Sequence, residues 1–149
     1  MEKILITLSV TTMRIPSFDH DDYWELVSAE ERHAESPDSF WIPTRSERES
    51  LKIGQTAKLL FEIESENEEG EVERNVERMW VVVSEIDSPY YIGRLANKPA
   101  TVDEHEDFYL QLGVEVPFKA EHVIDIDQPP AEFLEKFFSE QPKGIWPRV

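Results

Sequence analysis

The chain has 149 residues, 32 of them acidic and 15 basic, for a formal charge of −17 at pH 7. A surplus of that size repels nucleic-acid phosphates and anionic lipid and favours basic partners or cations, and no run approaches the roughly 20 apolar residues of a membrane helix. At 40% hydrophobic and 11% aromatic it is too aromatic for a disordered acidic tail, and with no cysteine it excludes disulfides, thiolate metal sites and thiol catalysis.

The length fits one domain over 1–149. Residues 1–37 read as an N-terminal strand and helix extension, 38–126 as a β-rich core, and 127–149 as a C-terminal helix and tail. Ile4 to Val10 is β-branched and leucine-rich, which predicts a buried first strand. Thr7 and Ser9 inside it, Arg14 after it and the lack of an Ala-x-Ala site argue against a secretory leader, and with the absence of cysteine we expect a cytoplasmic protein. Asp19-His20-Asp21-Asp22 offers helix N-caps, and Tyr23, Leu26, Val27 and Ala34 fall near helical spacing, so a helix is predicted from about 21 to 34, ending before Pro37. Phe40-Trp41-Ile42-Pro43 is an aromatic bend, followed by a brief helix over Arg45–Leu51 that Gly54 ends.

Leu59, Phe61 and Ile63 alternate with Lys58, Glu62 and Glu64, the pattern of a strand with one wet side. Asn67-Glu68-Glu69-Gly70 is turn chemistry, and Val76 to Ile86 returns as the most apolar strand, buried on both faces at its centre. Tyr90–Leu95, Val114–Phe118 and His122–Ile126 read as further strands, with Pro117 restricted to an edge or bend. Pro129-Pro130 opens a helix near 130–140 with Phe133, Leu134, Phe137 and Phe138 on one face, and Trp146 in the tail is expected to dock on the core. Short strands joined by tight turns give an α+β fold: a small antiparallel sheet, curved towards a barrel, with an N-terminal and a C-terminal helix.

Pro43, Arg48, Leu51 and Gly54, then Lys58-Leu59-Leu60-Phe61, Glu77-Arg78-Met79-Trp80-Val81, Gly93-x-Leu95-x-Asn97-x-Pro99, Gly113-x-x-Val116-x-Phe118 and His122-x-Ile124 come in order. Across about residues 38–126 this series resembles a bacterial domain family, the YegJ-like group. The resemblance implies a stand-alone bacterial domain and carries no catalytic residues or established activity with it.

Candidate chemistry is sparse. Asp19–Asp22 and Asp103-Glu104-His105-Glu106-Asp107 have hard ligands for a cation, but adjacent side chains do not converge, so a solvated cap and an exposed loop are expected and no metal is assigned. His122 beside Asp125 has the titration range of a general base, yet no serine stands in elbow context, and a structural histidine is expected. Five glycines and no phosphate loop argue against a nucleotide cofactor, and no cofactor is expected. Trp80 is expected in the core, whereas Trp41 and Arg78 are candidates for a recognition surface. Eight glutamates lie between Glu62 and Glu77, and Glu62, Glu64, Glu66, Glu71 and Glu73 would form an acidic ribbon around the Gly70 turn. The leading expectation is a non-enzymatic protein-binding module with a basic protein partner, in the manner of an immunity-type inhibitor. The alternatives are a hydrolase or metal-dependent enzyme using His122 or an acidic cluster, and a small-ligand module near Trp41.

Overall fold

The computed structural model describes residues 13–102 and 107–148. The strand expected over residues 4–10 and residues 103–106 of the second acidic cluster lie outside them. The fold is a curled, antiparallel six-stranded sheet, a half-barrel, with three α-helices among the described residues.

Two long strands carry the architecture, β2 (Thr56–Glu66) and β3 (Val72–Asp87), paired along the whole of β2 from Thr56↔Val82 to Glu66↔Val72. The Asn67–Gly70 turn closes this hairpin, with Asn67 Oδ1 accepting the amides of Glu69 and Glu71 and Gly70 at φ +79°. β3 then passes to β4 (Tyr90–Leu95), and β4 to the edge strand β5 (Glu115–Lys119), where Pro117 is tolerated for want of a further neighbour. On the other side of β2, β1 (Trp24–Leu26) and β6 (Val123–Asp127) lie end to end, pairing with Phe61–Ile63 and with Thr56–Leu59 respectively.

Period-2 alternation puts Leu59, Phe61 and Ile63 of β2 on one face with Met79, Val81 and Val83 of β3, and these line the inside of the curl. Trp24, Ile92, Leu95, Val116 and Phe118 join them. Trp146 docks as expected and does more than fill space. Its ring meets Trp24 of β1 edge-on at 5.7 Å and Tyr109 at 5.4 Å, while its amide donates to Glu115 of β5 at 2.9 Å. The tail therefore spans the gap between the two ends of the strand order.

The outer face is covered in two places. Ala29, Leu60 and Ile124 pack with Val27, Phe40 and Ile42 beneath α1 (Ala29–Glu35). Further along, α3 (Ala131–Ser139) lies over the β3–β4 region, with Phe138 stacked at 5.3 Å from the Arg94 guanidinium. Gly54, at φ +94° between α2 (Arg45–Glu49) and β2, admits Leu134 of α3, whose Cδ1 would stand 3.2 Å from any Cβ there.

The N-terminal region differs from expectation. The helix predicted from about 21 begins only at Ala29, capped by Ser28, and Asp19 and His20 belong to a 3-10 turn (Phe18–His20) that Asp21 ends. Asp22 is instead bound to Arg14 and to the Ser17 amide. The apolar positions of the expected helix did not include Trp24. A strand puts Trp24 and Leu26 together on the inside, and the positive φ of Asp21 and Tyr23 turns the chain into it. Residues 13–37 are thus part of the sheet and its packing, not an appendage to it.

Candidate functional site

Trp80 is the first of the singled-out residues to move. Met79 and Trp80 do occupy opposite faces of β3, but only Met79 is buried. Trp80 is half-buried on the outer face, under the Lys58 ammonium at 5.4 Å. Arg78 is exposed on the same face, 6.0 Å from the Phe40 ring. Trp41 is 71% exposed and lines neither of the two grooves described below.

The acidic ribbon is divided by the register. Directly opposed residues of an antiparallel pair share a face. Glu62, Glu64 and Glu66 stand opposite Val76, Arg74 and Val72 on the outer face, whereas Glu73 stands opposite Ser65 on the inner one. Glu64 is paired with Arg74 at 3.4 Å, and Arg74 also covers Phe18 at 3.9 Å. Glu25 of β1 faces Glu62, and burial together with that like charge holds its carboxyl above the ordinary glutamate value. The base of the hairpin is therefore mixed in charge. Its tip is not: Glu66, Glu68, Glu69, Glu71 and Glu73 are all exposed.

The tip also overhangs. β1 stops at Ile63 of β2, and β4 reaches only Val81 of β3, with the Trp80 amide and carbonyl taken by Asn97 and Ala96. Among the described residues no strand pairs with the far edge of β3 over residues 72–78. Val72 is 62% and Val76 45% exposed there, amid charged neighbours.

His122 has no freedom to act as a base. It is buried in a 3-10 turn (Ala120–His122), its Nδ1 accepts the Lys119 amide at 3.0 Å, and its Nε2 lies 3.5 Å from Glu121. Burial is the main reason its pKa is lowered to about 4, so the ring is neutral with the proton on Nε2. Asp125 does not orient it: the ring's partners are the Lys119 amide and Glu121, and the Asp125 carboxylate accepts the Ile126 amide. Among the described residues, no group of three or more His, Asp or Glu side chains is placed to hold a metal ion. No helix there is long and apolar enough to cross a membrane.

The positions behind the sequence resemblance are framework positions. Buried Arg48 donates from Nε to the Pro43 carbonyl at 2.9 Å and from Nη1 to Glu30 and to the Ala120 carbonyl. Glu77 accepts the amides of Ala100 and Thr101, fixing the loop after Pro99, and Asn97 accepts the Trp80 amide at 2.7 Å. Gly93 lies against Val81 with no room for a side chain.

Two concavities stand out among the described residues. A smaller one, about 390 Å³, lies between Tyr23, Ser65, Val72 and Phe108. The larger, about 800 Å³, opens between α3 and the loops around Lys98 and Leu112. Sequence reasoning missed it because its walls come from α3, β4 and two loops far apart in the chain. The one legible sign was a helix carrying four large apolar residues, more than a single contact face covers.

No family model matches this chain, and comparisons with curated proteins and with solved structures return no similar protein.

Proposed function

We propose that the chain is a non-enzymatic protein-binding module that docks a basic protein partner through the overhanging β2–β3 hairpin. The observation that carries this reading is the overhang itself: an acidic tip on a strand edge with no strand beside it over residues 72–78. An open edge offers main-chain hydrogen bonds to an added strand, and side chains on alternate faces select what is added. Five exposed glutamates at the tip bias the encounter towards cationic surfaces and repel acidic ones. An arm of this kind can occupy the groove that a nucleic-acid-binding partner uses for phosphates, which is an inhibitor's mode of action. The tied-up imidazole of His122 gives no support to the hydrolytic alternative.

The experiment reverses Glu66, Glu68, Glu69, Glu71 and Glu73 to Lys together. Proteins retained from native lysate by the wild type but not by this variant are purified, and their association kinetics with both are measured. Each exposed charge contributes little alone, so the expected result is a collective one: an on-rate lowered by about tenfold or more at low salt. The wild-type on-rate should fall as the Debye length shrinks from about 10 Å at 0.1 M to about 3 Å at 1 M salt. Equal on-rates and equal salt dependence for a folded variant would sink the proposal.

A further inference from the structure

The groove beside α3 has a character opposite to the rest of the molecule. Among the described residues, Arg94, Lys98 and Lys143 line it together with one carboxylate, Glu140, in a chain with twice as many acids as bases. Its remaining wall is apolar. Phe133 and Phe137, one turn apart on α3, stack with their rings 5.6 Å apart, and Phe133 stays 44% exposed. Leu110, Leu112 and Val102 stand across from them.

Arg94 is the informative residue. It sits on β4 opposite Val82 and Glu115, donates from Nη1 to the Glu140 carbonyl at 3.0 Å, and lies against the Phe138 ring. Its Nε is buried and has no hydrogen-bond acceptor. Among the described residues no carboxylate is paired with its guanidinium, the group that planar carboxylates and phosphates pair with best. Glu115 attracts Arg94 at longer range, but its two oxygens are already held by Arg148 and the Trp146 amide. The wall of the groove thus combines Arg94, a cation with no carboxylate paired to it, with a second cation, Lys143, and a stacked apolar pair. A volume of about 800 Å³ is within the range of pockets that hold small organic molecules.

We propose that this groove binds a small amphipathic carboxylate, with the anionic head on Arg94 and Lys143 and the apolar body along Phe133 and Phe137. The head supplies the paired carboxylate that Arg94 lacks. The body covers the part of α3 that the sheet does not reach. The site is separate from the hairpin tip, so each proposal can fail without the other.

The test is calorimetric titration of the full chain with decanoate, decanol and decyltrimethylammonium, which share a tail and differ in the charge of the head. Decanoate should bind at one site, decanol about tenfold or more weaker, and the cation not measurably. Phe133→Ser, at a position 44% exposed, should weaken decanoate about fivefold or more. Lys143→Glu should weaken it similarly by reversing a charge at the head. Arg94→Met should weaken it about tenfold or more. If that variant does not fold, the Phe133 and Lys143 variants decide the question. Equal affinity for the three amphiphiles, no binding of decanoate, or decanoate affinity indifferent to Phe133→Ser and Lys143→Glu would overturn the assignment.

Discussion

The tail latch gives the sharpest quantitative prediction. Arg148 grips Glu115 with two hydrogen bonds, 2.6 and 3.0 Å, and reaches Glu85 at 3.2 Å, while Glu115 also accepts the Trp146 amide. The side chain of Glu115 is 9% exposed and that of Arg148 32%. Arg148→Met keeps most of the packing volume and leaves a nearly buried carboxylate with a single donor. Breaking a fully buried pair costs about 3–5 kcal/mol, but the solvent access at Arg148 screens the charge and moves the figure to about 1.5–3 kcal/mol. For a chain of this size that is a loss of roughly 3–12 °C in Tm. Glu115→Gln in the Arg148→Met background should be less destabilised than the sum of the single changes by about 1 kcal/mol, because no buried charge is then stranded. Acid should act on the same latch. Although burial alone would raise it, hydrogen bonding to Arg148 and the Trp146 amide holds the Glu115 pKa below the ordinary glutamate value. The unfolded chain therefore takes up the proton first. The latch contributes fully above about pH 4.3 and is lost as pH falls through the lower folded value. Urea denaturation at neutral and acid pH, followed by tryptophan fluorescence, measures all of this. A folded Arg148→Met protein within about 0.5 kcal/mol of wild type, or strict additivity in the double variant, would refute the reasoning.

Two further outcomes follow from single positions. The His122 imidazole should titrate at about pH 4 in the folded protein, and stability should decline as pH falls from about 6.5 towards that value, since the unfolded chain is protonated first. Imidazole proton shifts report it directly, and a midpoint near 6.5 would contradict the burial argument. Gly93→Ala would place a Cβ 2.7 Å from Val81 Cγ2 and 3.3 Å from Phe118 Cε1, so it should cost about 1–3 kcal/mol by overpacking. Val81→Ala should recover part of that loss in the pair, and a neutral Gly93→Ala in urea would show that β4 can shift away.

Legibility followed the range of the interactions. The β2–β3 hairpin, β4 and α3 were readable because alternation, turn chemistry and helical spacing are local signals. The strand Trp24–Leu26 was missed because four apolar residues at helical spacing can equally hold a two-residue strand step, and only the partners Phe61 and Ile63, far along the chain, choose between them. Trp80 was expected in the core because apolar runs suggest burial on both faces. Its outer face lies between α1 and α3, and Lys58 rather than a helix covers it. The tail latch was half-visible: a terminal Trp must hide, but nothing local names Glu115 as what receives it.

The glutamates show the same division with a consequence for function. Counting them along the sequence suggested one ribbon, but charge density per residue and charge density per face are different quantities. The register Glu64↔Arg74 neutralises the middle of the outer face, and the turn sends Glu73 to the inner one. Only beyond β1 and β4, where no neighbouring strand constrains the hairpin, do exposed glutamates gather without a cation between them at the tip. A surface evolved for solubility alone has no reason to coincide with an unpaired edge, although charge there does guard against aggregation. Guarding needs the charge beside the open backbone of residues 72–78, where Arg74 and Arg78 alternate with two exposed valines. Docking needs the charge at the leading end, where a partner is first met. The glutamates are concentrated at the leading end, and the edge behind them is left mixed in sign and apolar enough to be covered.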